Sequence, residues 1–474
     1  MKMTQNKKGQ AGLDGSLLMK WLIVFGLPIA FYFMPLNLDP AIHSFLAVTL
    51  WAVLSWMTTI IPVEATGIAI PCLFVLTGTT DEGTAFASYA NTVVWGTAAM
   101  ILLGVAADKS NIAKRMAYNI LLKMDCDLKG LVWGFSIGGL ALSFIITDSF
   151  ARAVIFTTIA VGICRALEIP FKSKEATALG LAAFFGMSGP SILTLTGGNG
   201  IQLLSVYRNV VADLGMYDMN YFTWILHNLI PGLAWTLLGV FCILKGIKLG
   251  DGRCFDAREE LEARKAELGQ ISRREYCVLV AMILLILDYI VAPGFGLDPF
   301  LLAACSIPVL FVPQIGILER EDFTDTADFN ILFMMAGAIA IGTVGGSIGV
   351  VQMVANLVGP VLGGSSIAMV FGTFAIGALS NFILTPLAII FSLSEMFANL
   401  ALTFGFNPLP VMYALNIATD VYAFPYEYAI LLVCFSFGIM DYKTTVKVLS
   451  MRFVGSFLMV GLICIPYWFL MGLM

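Results

Sequence analysis

Leu142-Ser143-Phe144-Ile145-Ile146-Thr147-Asp148-Ser149-Phe150 and Ile376-Gly377-Ala378-Leu379-Ser380-Asn381-Phe382-Ile383-Leu384-Thr385-Pro386 are two apolar stretches, each interrupted at its middle by a short polar triplet. They sit at matched places in the two halves of a 474-residue chain. In hydrocarbon, an open backbone persists only where protein or a watery cavity satisfies its amides and carbonyls. A matched pair of interrupted apolar segments therefore points to the binding site of a transporter.

Composition agrees with a membrane setting. The chain is 59% hydrophobic and 12% charged, against about 25% charged residues in a soluble domain. Mean hydropathy is +0.91 and the deficit of charge runs along the whole chain, so a polytopic membrane protein is expected. The basic start (Lys2, Lys7, Lys8) is not followed by a small-residue cleavage site after the first apolar run. The nine cysteines have no paired spacing, and most fall in apolar runs, where Cys behaves as a small hydrophobe. His43 and His227 are too far apart to suggest a metal site. The sequence carries no nucleotide-binding loop, no basic nucleic-acid patch and no nucleophile constellation. ATP-driven transport by this chain alone and membrane-embedded catalysis are both disfavoured, and no cofactor is expected.

A hydrocarbon core takes roughly 20 apolar residues per helix. On that ruler the spans fall near 18–36, 42–61, 65–79, 92–108, 178–207, 222–244, 276–293, 299–313, 328–357, 410–439 and 449–472. The interrupted segments 131–164 and 364–398 read as re-entrant hairpins. The expected fold is all-α, with about eleven transmembrane helices and two hairpins. Charge sets the orientation. With residues 1–17 as a cytoplasmic tail, the basic segments fall on the cytoplasmic side. These are Lys109 to Lys129, Arg165 to Lys174, the polar stretch 245–274, Arg320, and Lys443 to Arg452. Arg208 alone lands outside, and Arg152 lies within a hairpin. Reading 131–164 as a single span would move the basic 245–274 segment outside. The first half (18–244) then holds a cytoplasm-facing hairpin at 131–164. A cytoplasmic linker (245–274) with a short helix near Ala257–Leu268 follows. The second half (275–474) holds an outward-facing hairpin at 364–398. Two inverted repeats in an inner (plasma) membrane, with the C-terminus outside, follow from this order. Gly104 with Gly342 and Ala117 with Ala355 echo at a shift of 238.

At a hairpin tip the second arm begins with unpaired N–H groups and the positive end of a helix dipole, which attract anions. The first arm ends in unpaired carbonyls, which suit a sodium ion. Thr147, Ser149, Ser380, Asn381 and Thr385 add neutral oxygen or amide ligands. Each hairpin is followed by a span with its own irregular point. The first is Thr194-Leu195-Thr196-Gly197-Gly198-Asn199-Gly200, whose three glycines are costly in a helix interior. The second is Asp420-Val421-Tyr422-Ala423-Phe424-Pro425-Tyr426-Glu427, where Pro425 removes a backbone donor.

This order of elements resembles the divalent anion–sodium symporter family, also called solute carrier family thirteen. Its members carry a Ser-Asn-Thr triplet at each hairpin tip and a Pro-rich break in the following span. The stretch from Asp328-Phe329-Asn330 to Gly342 is similar to the start of the family's long span before the second hairpin. The resemblance implies one sodium held by Ser143, Thr147, Asp148 and Gly197, and another by Ser380, Asn381 and Ala423. It implies a dicarboxylate or similar dianion between the tips, against Ser149, Asn199 and Asn381. A homodimer that moves its transport domain as an elevator is also implied.

The chain departs from that pattern at Asp148 in place of Asn, at Phe382 in place of Thr, and at both breaks. Arg152 follows Asp148 by four residues, one helical turn. A charge within a membrane segment is a functional hypothesis by default. Three readings of Arg152 stay open: an ion pair that neutralises Asp148, a contact to an anionic substrate, and a guanidinium that replaces one sodium. The expected function is sodium-coupled symport of a small organic dianion such as a dicarboxylate, citrate or sulfate. Sodium-independent anion exchange through Arg152 and cation–proton antiport through Asp148, Glu395 and Glu427 are the alternatives.

Overall fold

The computed structural model describes residues 15–474 apart from 59, 145–148, 212–218, 248–255, 296, 328 and 383. Among the described residues the chain is all-helical, without strands. Among the described residues, six helical stretches are long and apolar enough to cross a membrane: Glu82–Ala107, Ser149–Ala166, Lys174–Leu193, Tyr221–Gly246, Pro386–Thr403 and Tyr442–Leu470. Shorter apolar helices lie between them. The helix Tyr221–Gly246 shows how such a segment meets lipid. Phe222, Leu226, Leu229, Leu233, Leu237 and Phe241 recur every three or four residues and are all exposed. The opposite face, with Trp224, Trp235 and Ile243, is buried. A stripe of this kind is apolar on both sides because both lipid and protein interior are apolar.

The order of elements recurs in the two halves. Thr92–Ser110 turns at Asn111, whose φ of 63° is left-handed, into the short helix Ile112–Leu121. The helix pair Leu128–Ser143 and Ser149–Ala166 follows. In the second half Asn330–Ser347 turns at Gly349 (φ 83°) into Val350–Leu362, and the pair Ser366–Ser380 and Pro386–Thr403 follows. The starts Thr92 and Asn330, Ile112 and Val350, and Leu128 and Ser366 are each 238 residues apart. The expected single span 328–357 is thus corrected to two helices. Gly349 supplies a backbone conformation that an apolar run does not advertise.

Each helix pair doubles back on itself. In the first, Phe135 and Phe156 lie at similar distances from the tip, and their rings meet edge to face at 5.3 Å. Both arms pack on Lys174–Ser188, in which every residue from Ala176 to Ser188 is buried. That close approach rests on glycine. A Cβ on Gly139 would run into the Gly186 carbonyl, and one on Gly186 would run into the Phe135 carbonyl. A second glycine crossing joins Val63–Leu76 to Asn330–Ser347, where Gly67 and Gly337 each face the other helix's backbone. Small residues are what let helices touch without a hydrophobic drive between them.

The stretch between the halves forms the helix Arg258–Glu267. Arg115 fastens its end, donating to the carbonyls of Leu268, Gly269 and Gln270 and to the Glu275 carboxylate at 2.8 Å. Glu275 in turn accepts from the Ser272 N–H in a capping box that opens the helix Arg273–Val291. Burial works to raise the Glu275 pKa. The bonds from Arg115 and Ser272 outweigh it and hold the carboxyl below its usual range.

Candidate functional site

Both spans that follow the hairpins are broken, at the positions where glycine and proline predict it. The first is helical to Leu193, open from Thr194 to Asn199, and helical again from Gly200 to Val211. The second is helical over Pro408–Ala418, open beyond it, forms one tight turn at Pro425–Glu427 and resumes at Ala429–Ser436. The predicted ligands Thr147 and Asp148, together with Asp328 of the long span, lie outside the described residues.

At the first tip the structure gathers Ser149, Arg152 and Gly197. The Ser149 hydroxyl donates to the Gly197 carbonyl at 3.1 Å. Arg152 is fully buried, and its Nη2 donates to the same carbonyl at 2.5 Å and to Ser149 Oγ at 3.1 Å. A guanidinium nitrogen therefore stands on the Gly197 carbonyl, which was expected to serve the first sodium, and on Ser149, which was expected to face the dianion. A charge at such depth is tolerated because charge-assisted bonds to carbonyl and hydroxyl replace its hydration.

At the second tip the Asn381 amide spans the break. Its Nδ2 donates to the Ala418 carbonyl at 2.6 Å and to the Val421 carbonyl at 3.0 Å. Two carbonyl oxygens of the second broken span thus converge on one side-chain position. Phe382, which stands where a hydroxyl was expected, packs on Phe424 of the break and on Phe453, with ring centroids 6.3 and 5.7 Å away.

The two tips communicate through the breaks. Asn199 Nδ2 donates to Thr419 Oγ1 at 3.2 Å, and Thr419 is adjacent to Ala418, whose carbonyl Asn381 holds. Two residues before Asn199 is Gly197, held by Arg152. Asn416 adds a second tie, to the Ser191 carbonyl at 3.4 Å.

Other predicted residues bond within their own segments. Ser143 Oγ bonds the Leu140 carbonyl and Ser380 Oγ bonds the Ile376 carbonyl, both within their own helices. Thr385 caps the second arm by accepting from the Ala388 N–H. The Ala423 N–H donates to Glu427, whose two oxygens take the N–H groups of Ala423 and Phe424 at 3.1 and 3.0 Å. The Glu427 carboxyl therefore caps the open backbone of the second break.

One cluster escaped the sequence reading. Arg452 was read as one of the loop charges that set orientation, and the structure places it 2% exposed, inside the protein. Its guanidinium lies between the rings of Phe185 and Trp235, 4.3 and 3.8 Å from their centroids. It pairs with Asp420 at 3.3 Å and donates to Ser188 Oγ at 3.0 Å. Trp235 Nε1 donates to the same Asp420 oxygen at 2.6 Å. The requirement that a buried acid such as Asp420 find a cation was the signal available in the sequence.

Comparison with known proteins covers the region that builds this site. Residues 16–474 match the family described as "Sodium:sulfate symporter transmembrane region". A "Putative malate transporter YflS" of Bacillus subtilis (strain 168) is 22% identical over 326 residues, 66% of this chain and 67% of that protein. A "Membrane protein" of Cupriavidus necator is 22% identical over 68% of this chain and 64% of its own length. The "Sodium-dependent high-affinity dicarboxylate transporter 3" of Caenorhabditis elegans is 24% identical over 51% of this chain and 46% of its own length. The matched part of the chain thus spans between 46% and 67% of these relatives.

Proposed function

Since the chain belongs to the sodium:sulfate symporter family, and so is a multi-pass membrane transporter rather than an enzyme, we propose that it carries a small organic dianion, with a malate-like dicarboxylate as the first candidate. The names of the Bacillus and Caenorhabditis relatives support that class of cargo. The dianion would sit between the two tips, against Ser149, Asn199 and Asn381. We place the N-terminus in the cytoplasm and the C-terminus outside. The two halves are read as inverted repeats, and the hairpins with their broken spans as the moving body of an elevator in a homodimer. The 238-residue recurrence of element starts supports the repeat.

The observation that carries the mechanism is Arg152 Nη2 on the Gly197 carbonyl and the Ser149 hydroxyl. A tethered cation there takes the place of the first sodium and offsets part of the dianion's charge. The carbonyls of Ala418 and Val421 remain as one oxygen pair that suits a single sodium. Uptake of labelled malate into proteoliposomes, titrated with external sodium against choline, tests this. First-order dependence on sodium is the expected result, and a cooperative dependence on two or more ions overturns it. A second reading is favoured by the Asn381 amide, which itself donates to both carbonyls. In that reading no sodium is needed, and uptake in choline proceeds unchanged when the vesicles are preloaded with dianion.

A further inference from the structure

Glu395 lies midway along Pro386–Thr403, the second arm of the second hairpin, far from either tip. It is only 8% exposed, and its Oε2 has no hydrogen-bond partner among the described residues. Opposite it stands a glycine face of Asn330–Ser347. A Cβ on Gly342 would collide with the Glu395 carboxylate, and one on Gly346 would come within 4.0 Å of Oε1. Residues 342 and 346 are one turn apart on one face, so the missing side chains form a slot shaped to the carboxyl.

Among the described residues of the helices packed against this arm, no cation serves that slot. The helices Asn330–Ser347, Val350–Leu362 and Ser366–Ser380, which pack against this arm, carry no titratable residue. Pro408–Ala418 brings Tyr413, which bonds His227 Nδ1 and the Met219 sulfur. Gly200–Val211 brings Tyr207 and Arg208, and Arg208 pairs with Asp298 at 3.7 Å. Pro40–Thr58 brings His43, whose Nε2 bonds the Phe31 carbonyl. An ionised carboxylate in an apolar seam with no cation and an oxygen without a donor is strongly disfavoured, whereas the carboxylic acid fits.

We propose that Glu395 is a proton-binding site on the seam between the second hairpin and the helix Asn330–Ser347, protonated while the carboxyl rests in the Gly342–Gly346 slot and released when the arm leaves it. The coupling half of this proposal rests on the elevator reading above, because only a sliding arm exposes the carboxyl to water. A proton is then taken up and given back in each cycle, independently of the ion at the tips.

Two measurements test it. The infrared spectrum of purified protein at neutral pH should show a protonated-carboxyl carbonyl band that Glu395→Gln removes. A spectrum unchanged by the substitution overturns proton binding, and this readout does not depend on any transported cargo. Malate exchange between proteoliposomes and medium should vary with pH in the wild type, up to the limiting one-proton slope of about tenfold per unit. Glu395→Gln should flatten that profile. A band that the substitution removes, together with a pH profile that it leaves unaltered, overturns the coupling and leaves the cargo assignment standing. A wild type that moves no dianion overturns the cargo assignment and leaves the infrared test in force. Glu395→Ala serves the same comparisons if the glutamine variant does not fold.

Discussion

Arg452 and Asp420 form a salt bridge of 3.3 Å with side chains only 2% and 8% exposed, and they join the last long helix to the second break. Trp235 and Ser188 bring two more segments to the same pair. Removing one member of such a pair leaves a buried charge unpaired, which costs about 3–5 kcal/mol. Arg452→Met or Asp420→Asn is therefore expected to lower the melting temperature sharply in detergent. Asp420→Leu combined with Arg452→Met should recover most of that loss, because the orphaned charge is gone. A double variant no better than either single one would show that the pair acts separately.

Arg152 makes a prediction about ion order. Arg152→Ser removes the charge-assisted bond to the Gly197 carbonyl, worth about 1.5–3 kcal/mol, so uptake at the sodium concentration that saturates the wild type should fall roughly ten- to hundredfold. The vacated Gly197 carbonyl and the new hydroxyl then face the place a sodium would take, and added sodium should restore part of the rate. Titrating sodium against labelled malate uptake in both proteins checks this. A sodium dependence no steeper in the variant than in the wild type contradicts it.

Glu275 sets an acid limit to stability. Its carboxyl is held below its ordinary value of 4.5 in the fold. The ionised form therefore stabilises the folded state above the unfolded value, and that contribution disappears as pH falls through the lowered folded value. Melting temperature followed downward from neutral pH should drop in this window for the wild type. Glu275→Gln should begin lower and drop less.

The glycine crossings differ from ordinary helical glycines. Gly139→Ala drives a methyl into the Gly186 backbone and should cost about 1–3 kcal/mol, or abolish stable expression. Gly162 has nothing within 4 Å of its would-be Cβ. Gly162→Ala should be neutral or should stabilise by about 0.5–1 kcal/mol. Parallel melting curves of the two variants give the comparison.

Reading the chain alone went furthest where the backbone carries the information. Ser380-Asn381 marks the end of one hairpin arm, and Gly197-Gly198-Asn199-Gly200 and Pro425 mark the breaks, because glycine and proline change what a backbone can do. Side-chain direction was not legible. Ser143 and Ser380 look like ligands in sequence, yet each hydroxyl bonds back to its own helix. Arg452 sits early in an apolar run and reads as a charge at a membrane boundary. Its place between Phe185 and Trp235 depends on helices more than 200 residues away in the chain, which no local pattern encodes.

The crossing of Gly67 with Gly337 has a consequence for assembly. Gly139 meets Gly186 soon after both have been synthesised, so the first hairpin can close on its neighbour early. Gly67 waits for a partner 270 residues further on. During synthesis Val63–Leu76 therefore enters the bilayer with its backbone-exposing face unmatched, and that face is closed only when Asn330–Ser347 arrives. A ribosome that stalls before residue 337 leaves the first half built but still waiting for its keystone, which lies in the second.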